Sequence, residues 1–238
     1  MTRVVLVHGF TQTHRSWDVV ADALAREHDV VALDAPGHGE LSDVALDLWQ
    51  GARLVAQQGG RAAYVGYSMG GRLCLHVALA HPDFVEALVL VGATAGIRDD
   101  VERDDRRRDD EARAARIERE GVDAFLREWL SQPLFASLPP DARGLDDRRT
   151  NTASGLAATL RLAGTGAQEP LWNRLAELEM PVLLVAGERD DTFAALAHEM
   201  ATAIGRNARV ALVADAGHAA HLERPDTFVE ILEAFLGG

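Results

Sequence analysis

A serine flanked by glycines is the strongest chemical signal in the chain. The segment Gly66-Tyr67-Ser68-Met69-Gly70-Gly71 contains the pattern G-x-S-x-G between a strand-like run and a helix-like run. This context predicts a sharp strand-to-helix turn that projects the serine hydroxyl. Glycines two residues before and after the serine relieve the crowding of backbones at such a turn. Ser68 is therefore the candidate nucleophile or base.

A reactive serine needs a histidine to accept its proton and a carboxylate to orient that histidine. In proteins built around this turn, the chain order is serine, acid, histidine. Asp190 and His218 each follow a strand-like run, so both are expected in loops at strand ends. They complete a predicted catalytic triad. Asp191 is the rival acid, and Asp215 is a weaker one.

Two backbone amides are predicted to form an oxyanion hole. The turn after Ser68 directs the Met69 amide and the positive end of the following helix towards whatever the serine faces. The second amide is that of Phe10, because His8-Gly9-Phe10 ends the first strand-like run, where this kind of fold supplies the other donor. His8 itself is predicted to be structural and to hydrogen-bond the loop.

Six short apolar runs would position these groups. Helix-like stretches separate the runs, which is the alternation of a parallel α/β sheet. The runs are apolar at nearly every position, so we expect helices on both faces of the sheet. The runs fall at about 3–8, 29–34, 62–67, 85–92, 181–186 and 208–214.

The strand signal vanishes between about 96 and 167. A segment dense in Arg, Asp and Glu, 99–120, is followed by an apolar and aromatic stretch, 125–138. This composition predicts a helical cap over the carboxyl edge of the sheet, where open α/β sheets bind ligands. The predicted domains are an α/β core at 1–95 and 168–238 and a helical cap at 96–167.

The composition excludes several classes of function. A net charge of −13 argues against nucleic acid as the main partner. All 24 basic residues are arginine, so no lysine Schiff base and no Walker lysine can form. Cys74 is the single cysteine, which excludes an intrachain disulfide and a multi-cysteine metal site.

The same features favour a cytoplasmic enzyme. No apolar run approaches the ~18 residues that suggest a bilayer span. The N-terminus enters a strand-like run almost at once and lacks a signal-peptide cleavage site. The expected partner is a small molecule, with no nucleic acid and no membrane, and the expected state is a monomer or weak homo-oligomer.

Arg72 suggests the charge of that small molecule. It lies in the first turn of the helix after Ser68, where a cation opposes the helix dipole. A nearby anion should offset this unfavourable interaction between the Arg72 charge and the helix dipole. A substrate carboxylate and a neighbouring acidic side chain both satisfy this requirement, and the sequence leaves the two alternatives open.

Several longer motifs extend beyond the three triad residues. They are 65–72, Arg103-x-x-Arg106-x-x-x-Asp110, 129–138, Arg149-Thr150-Asn151, Gly164-Thr165-Gly166 and 187–190. On these motifs the chain resembles, essentially from end to end, the 2-succinyl-6-hydroxy-2,4-cyclohexadiene-1-carboxylate synthases, the MenH family of α/β-hydrolase-fold enzymes. The motifs in the predicted cap are the ones that are specific to this family.

The resemblance implies a lyase of menaquinone biosynthesis. That family eliminates pyruvate from 2-succinyl-5-enolpyruvyl-6-hydroxy-3-cyclohexene-1-carboxylate without a metal or organic cofactor. The resemblance further implies that Ser68, made basic by His218 and Asp190, removes a ring proton without forming an acyl-enzyme. The amides of Phe10 and Met69 would stabilise the charge that develops on the succinyl carbonyl.

The resemblance also implies which residues bind the substrate. Its three carboxylates would meet Arg72, Arg106 and Arg149, and Tyr67 and Trp129 would line the pocket. These cations would offset the repulsion expected from an acidic protein.

Two of these arginines have alternatives. Arg106 stands in the run 106–108 on a charged helix, where solvated side chains are common. The spacing of Arg103, Arg106 and Asp110 places all three on one helical face and favours a pocket role. The adjacent Arg148 is the alternative to Arg149 as the residue that contacts the substrate.

Two other functions remain open. One is hydrolysis of small esters, or of carbon–carbon bonds in ring-cleavage products, by the same triad. The other is a ligand receptor without activity, which an intact triad and both oxyanion segments disfavour.

Overall fold

The computed structural model describes residues 1–237 and contains one parallel sheet with helices on both sides. The strands in these residues are β1 (Arg3–Val7), β2 (Asp29–Leu33), β3 (Ala62–Tyr67), β4 (Val85–Val91), β5 (Val182–Gly187) and β6 (Ala208–Val213). The α-helices of the same described range are α1 (Asp18–Leu24), α2 (Leu48–Gly59), α3 (Met69–Ala80), α4 (Asp100–Glu120), α5 (Val122–Trp129), α6 (Leu145–Arg148), α7 (Ala153–Ala163), α8 (Asp191–Ile204), α9 (Ala220–Glu223) and α10 (Pro225–Leu236).

The strand order is β2-β1-β3-β4-β5-β6, and every neighbouring pair is parallel. The carboxyl ends of all six strands therefore share one edge, and the loops that leave that edge can meet. The predicted α/β class with a parallel sheet flanked by helices is confirmed, and each strand lies within one residue of its predicted bounds.

Alternate side chains of the strands build two separate cores. Val5 and Tyr64 belong to one apolar cluster, together with residues of α2, α3 and α8. Val4 and Val65 belong to the other, together with residues of α1 and α10. Because both faces are covered, the central strands are apolar at consecutive positions, which explains why the sequence shows runs and no alternation.

The chain between β4 and β5 forms helices and turns and, in the described residues, no strand. We call residues 96–167 the cap segment; its status as a separate cap domain stays a prediction. Helix α4 begins where the Asp99 side chain accepts a hydrogen bond from the Glu102 amide (2.9 Å), and it ends at Gly121, which has a positive φ of 81°. The segment has its own apolar cluster, centred on Ile117, Phe125 and Leu156.

No helix within residues 1–237 combines the length and the apolar character needed to cross a membrane.

Two histidines outside the triad, His38 and His221, are buried. His38 is 0% exposed, and His221 is 1% exposed between the rings of Trp17 and Tyr67. Neither ring nitrogen of His221 has a hydrogen-bond partner in the described part of the chain. Burial, reinforced by the charges of His218 and Arg148, lowers the pKa of His221 to about 3.

We expect His221 to make the protein sensitive to acid. The folded pKa is about 3 and the unfolded value is 6.5, so below pH 6.5 the unfolded chain binds a proton that the folded chain does not. The free energy of unfolding should therefore fall as pH falls, by about 2 kcal/mol from this group at pH 5. His221→Phe should remove that loss, as measured by urea unfolding at pH 7.5 and pH 5. An equal pH dependence in the variant and the parent protein would contradict the prediction.

Candidate active site

The turn that carries Ser68 is strained, and two glycines make it possible. Ser68 connects β3 to α3 with φ +51°, a conformation that side chains rarely adopt. A Cβ atom at Gly66 would collide with the Gly70 backbone, and one at Gly70 would collide with the Val7 carbonyl oxygen. The start of α3 therefore packs directly against the end of β1, and the serine hydroxyl is left at the carboxyl edge of the sheet.

Ser68, His218 and Asp190 lie in a hydrogen-bonded row. His218 Nδ1 donates to Asp190 Oδ2 over 2.8 Å, and His218 Nε2 lies 3.4 Å from Ser68 Oγ. The first contact fixes the tautomer that leaves Nε2 free to accept the serine proton. The second is long for a catalytic hydrogen bond, as is common before a substrate tightens the site.

The structure separates Asp190 from its two rivals. Asp190 is buried at the start of α8, and its other carboxylate oxygen accepts from the Phe193 amide (3.2 Å). Asp191 is exposed, and Asp215 pairs with Arg189 (2.7 Å). Of the three acids, Asp190 alone contacts His218 in the described residues.

The amides of Phe10 and Met69 are free to donate hydrogen bonds to a ligand. Within residues 1–237 neither N–H donates a hydrogen bond to the protein. The peptide that carries the Phe10 amide is held from behind, because its Gly9 carbonyl oxygen accepts from His8 Nδ1 (2.8 Å) and from the Gln12 amide (3.2 Å). Such bonds to a carbonyl also strengthen the N–H of the same peptide as a donor.

His8 occupies the structural position predicted for it. Its Nε2 accepts from the Ala35 amide (3.0 Å), so both ring nitrogens are engaged. Burial lowers the pKa of His8 to about 4, and the ring therefore stays neutral at physiological pH. The fixed neutral tautomer connects the end of β1 to the loop after β2.

A cavity opens above Ser68 between the sheet edge and the cap segment. The predicted residues Phe10, Tyr67, Met69 and Trp129 line it. Trp129 packs against the Phe10 ring with centroids 5.3 Å apart. The Tyr67 ring packs beside His218 with centroids 5.3 Å apart, and burial raises the pKa of the Tyr67 hydroxyl, which stays protonated. The cavity thus combines an apolar wall with the triad.

Arg72 is buried at the cavity without an acidic partner. It is 7% exposed, donates to the Ala163 carbonyl oxygen over 2.7 Å, and forms no salt bridge within residues 1–237. Burial and the nearby Arg106 lower the pKa of Arg72 to about 10, so the side chain is still charged at neutral pH. The alternative of an ion pair with a neighbouring acid is therefore not realised, and a cationic position remains for a ligand.

Arg106 faces the cavity from α4, as its helical register predicts. Its Nε donates to Asp110 Oδ1 over 2.8 Å. Asp110 is buried and also accepts from the Gly166 amide (3.1 Å), which ties α4 to the turn at 164–166. Arg103 lies on the same helix but pairs with Asp100 and does not line the cavity.

The prediction that Arg149 contacts the substrate needs correction. Arg149 points to solvent, where it pairs with Asp123 (2.7 Å) and Asp146 (2.8 Å). Arg148 is 2% exposed and lines the cavity instead. The two residues follow each other in one helical turn, so their side chains leave the backbone about 100° apart. Only one of them can face inwards.

Arg148 is held by backbone and hydroxyl oxygens alone. Its Nε donates to the Arg143 carbonyl oxygen (2.7 Å), and its NH1 group donates to the Thr11 hydroxyl. Burial lowers the pKa of Arg148 to about 10, so it too remains a cation. Three arginines consequently surround the space beside Ser68.

The cavity residues to which the sequence assigned no role include Gln12, Phe193 and Phe135. Gln12 accepts from the Gly9 amide over 2.9 Å and lines the cavity, but a polar residue in a loop carries no distinguishing signal. Phe193 lies 4.4 Å from the His218 ring, on α8. Phe135 comes from the aromatic stretch of the cap segment, whose inward face the composition does not reveal.

This arrangement can remove a proton, or attack a carbonyl, beside a bound polyanion. The triad supplies the base, the two amides stabilise a developing oxyanion, and the arginines bind carboxylates. No group of three or more histidine, cysteine or acidic side chains in residues 1–237 has the arrangement of a metal site.

Comparisons with known proteins agree with the observed fold. Residues 4–231 match the model of the alpha/beta hydrolase family. The chain is 36% identical to a putative 2-succinyl-6-hydroxy-2,4-cyclohexadiene-1-carboxylate synthase of Bacillus subtilis (strain 168), over 98% of this chain and 89% of that protein. It is 31% identical to the synthase of Klebsiella pneumoniae, over 98% of this chain and 93% of that protein. The solved structure of MenH from S. aureus superposes with a TM-score of 0.92 at 30% identity, over 99% and 93% of the two chains.

Ser68 should react with a small fluorophosphonate. Its oxygen would bond to phosphorus as fluoride leaves, and His218 would accept the hydroxyl proton. We expect Ser68→Ala to abolish labelling and His218→Ala to slow it by about 100-fold or more, where about 100-fold is the lower end of the range for loss of a positioned base. Mass spectrometry of the intact protein measures both. Labelling of His218→Ala at the parent rate would show that the row of hydrogen bonds does not activate the serine.

Proposed function

Since the chain belongs to the α/β-hydrolase family and, within it, to the 2-succinyl-6-hydroxy-2,4-cyclohexadiene-1-carboxylate synthases, we propose that it is the lyase that forms this compound in menaquinone biosynthesis. The substrate would be 2-succinyl-5-enolpyruvyl-6-hydroxy-3-cyclohexene-1-carboxylate, and the other product would be pyruvate. The fold and the family are those of the relatives described above. The roles of individual residues are our proposal.

The observation that carries the proposal is the set of cations in the cavity. Arg72 and Arg148 are buried and have no carboxylate partner in the described residues, although the protein has a net charge of −13. A buried, unpaired cation is costly, and a bound anion removes that cost. A substrate with three carboxylates can meet these two arginines together with Arg106.

Ser68 Oγ would act as the base in the reaction. It removes a proton from the ring while His218 Nε2 accepts the serine proton, and Asp190 stabilises the imidazolium that results. The electron pair of the broken C–H bond moves into the ring, and the ring C–O bond to the enolpyruvyl group breaks. The released enolpyruvate takes up a proton to become pyruvate, so atoms and electrons balance.

The two free amides would lower the barrier to proton removal. Negative charge develops on the succinyl carbonyl oxygen, and the N–H groups of Phe10 and Met69 can both donate to it. A covalent acyl-enzyme is not needed, and the reaction as written requires no metal or organic cofactor. The strained position of Ser68 then holds the base beside the oxyanion hole throughout the reaction.

Hydrolysis of small esters or carbon–carbon bonds by the same triad is the second candidate. The arginine cluster favours the lyase, because neutral esters gain nothing from three cavity cations.

The predicted cytoplasmic location is supported by the single cysteine, Cys74, which is buried and unpaired.

We expect the purified protein to release pyruvate from the enolpyruvyl substrate. Coupling the release to lactate dehydrogenase and NADH gives a continuous assay. Ser68→Ala should lower kcat by at least about 1000-fold, since the base is lost while the binding groups remain. Rapid turnover of aryl esters with no pyruvate release would favour the hydrolase.

Arg148 and Arg149 provide a matched pair of variants. Arg148→Ala should reduce kcat/KM on the order of 10- to 100-fold, because a charge-assisted hydrogen bond in a buried site is lost. Arg149→Ala removes only exposed ion pairs and should change kcat/KM by less than about threefold. The pyruvate assay compares them. A greater loss in Arg149→Ala than in Arg148→Ala would reverse the assignment.

A further inference from the structure

The turn after Phe10 has an unfavourable backbone conformation. Thr11 has a φ of +69°, although it is a β-branched residue for which positive φ is strongly disfavoured. Such a conformation persists only when its surroundings hold it in place. The contacts of Thr11 are therefore informative about how the oxyanion hole is maintained.

Every polar group of Thr11 is engaged, and two of the three partners come from one short piece of the cap segment. The Thr11 amide donates to His38 Nε2 over 3.1 Å. The Thr11 hydroxyl accepts from Arg148, and its carbonyl oxygen accepts from Asn151 Nδ2 over 2.7 Å. Thr11 is itself 0% exposed, so a lost partner would not be replaced readily by water.

Asn151 connects three parts of the chain. Its Nδ2 group donates to the carbonyl oxygens of Thr11 and Arg148 (3.1 Å), and its Oδ1 accepts from the Gly39 amide (2.9 Å). The orientation of the amide follows from these partners, because two carbonyls require a donor and an N–H requires an acceptor. Asn151 is 4% exposed.

We propose that Asn151 is a positioning residue that holds the oxyanion turn from the cap segment. The inference rests on the proposed role of the Phe10 amide. Loss of the Nδ2 donor would leave the Thr11 carbonyl buried without a partner from Asn151 and would allow φ of Thr11 to relax. Relaxation rotates the peptide between Phe10 and Thr11 and displaces the Phe10 amide from the place where the oxyanion forms. A misplaced donor slows the chemical step more than it weakens binding.

The same contacts link binding to catalysis. Arg148 donates to the Thr11 hydroxyl while its backbone carbonyl accepts from Asn151. A carboxylate bound by Arg148 would fix this side chain, and through it the turn that carries the Phe10 amide. The cap segment would thus complete the oxyanion hole in addition to covering it.

Two variants test the role of Asn151. Asn151→Ala removes all three contacts. Asn151→Asp keeps the size and the acceptor for the Gly39 amide but loses the donor to Thr11. The readout is the rate at which a small uncharged fluorophosphonate labels Ser68, since this reaction needs the oxyanion hole and none of the substrate-binding arginines. Both variants should label about tenfold more slowly than the parent protein, as expected for one lost hydrogen bond in the transition state.

Asn207 offers a matched control. Its side chain also donates to two carbonyl oxygens, those of Leu178 (2.8 Å) and Met180 (2.6 Å), and it does not line the cavity. Asn207→Ala should keep the parent labelling rate even if thermal stability falls. In the pyruvate assay, Asn151→Ala should lower kcat about tenfold and change KM by less than about threefold.

The outcomes are distinguishable. Parent-like labelling in both Asn151 variants would overturn the proposal, and so would equal slowing in Asn207→Ala, which would trace the effect to stability alone. If Asn151→Ala does not fold, the labelling rate of the nearly isosteric Asn151→Asp tests the proposal. The labelling reaction does not depend on the elimination, so a protein that releases no pyruvate would contradict the proposed function and leave this test intact.

Discussion

The close approach of α3 to β1 is the constraint on which the site depends. Gly70 packs on the Val7 carbonyl oxygen at a distance that no side chain permits. This contact places the first amide of α3 beside the loop that follows β1, so that Met69 and Phe10 can present their N–H groups to one atom. The positive φ of Ser68 is the conformational cost of the same contact. A single small-residue interface therefore fixes the serine and the oxyanion hole together.

Electrostatics impose a second constraint on an acidic protein that binds an anion. Within residues 1–237, no acidic side chain lines the cavity that holds these cations. Asp110 neutralises Arg106 in part, whereas Arg72 and Arg148 are held by neutral oxygens. Neutral acceptors orient a guanidinium without cancelling its charge, so the positive potential remains available to a ligand. The many exposed ion pairs of α4 lie outside this region and contribute little to it.

Much of this arrangement is predictable from the sequence because it depends on local rules. The strands follow from buried apolar runs, and the turn at Ser68 follows from its two glycines. The family resemblance is confirmed by relatives at 31–36% identity, and the roles of the triad residues stay predictions that the geometry supports. The choice between Arg148 and Arg149 could not be made, since adjacent residues of a short helix have equal propensity and only tertiary packing decides which faces inwards. The sequence assigned no role to Gln12 or to Asn151, although Asn151 stands in one of the motifs, for a similar reason. Both side chains contact backbone groups, and sequence spacing does not encode such contacts.

The apolar cluster of the cap segment includes the Phe10 ring, which belongs to the loop after β1. Residues 96–167 are therefore not an interchangeable module. A chimaera that grafted this segment onto another enzyme of the same fold would transfer Trp129 and Asn151 but leave behind the ring and the carbonyl with which they pack. In such families, the first loop and the inserted helices would have to diversify together, and an exchange of one without the other would disturb the reacting centre before it altered substrate preference.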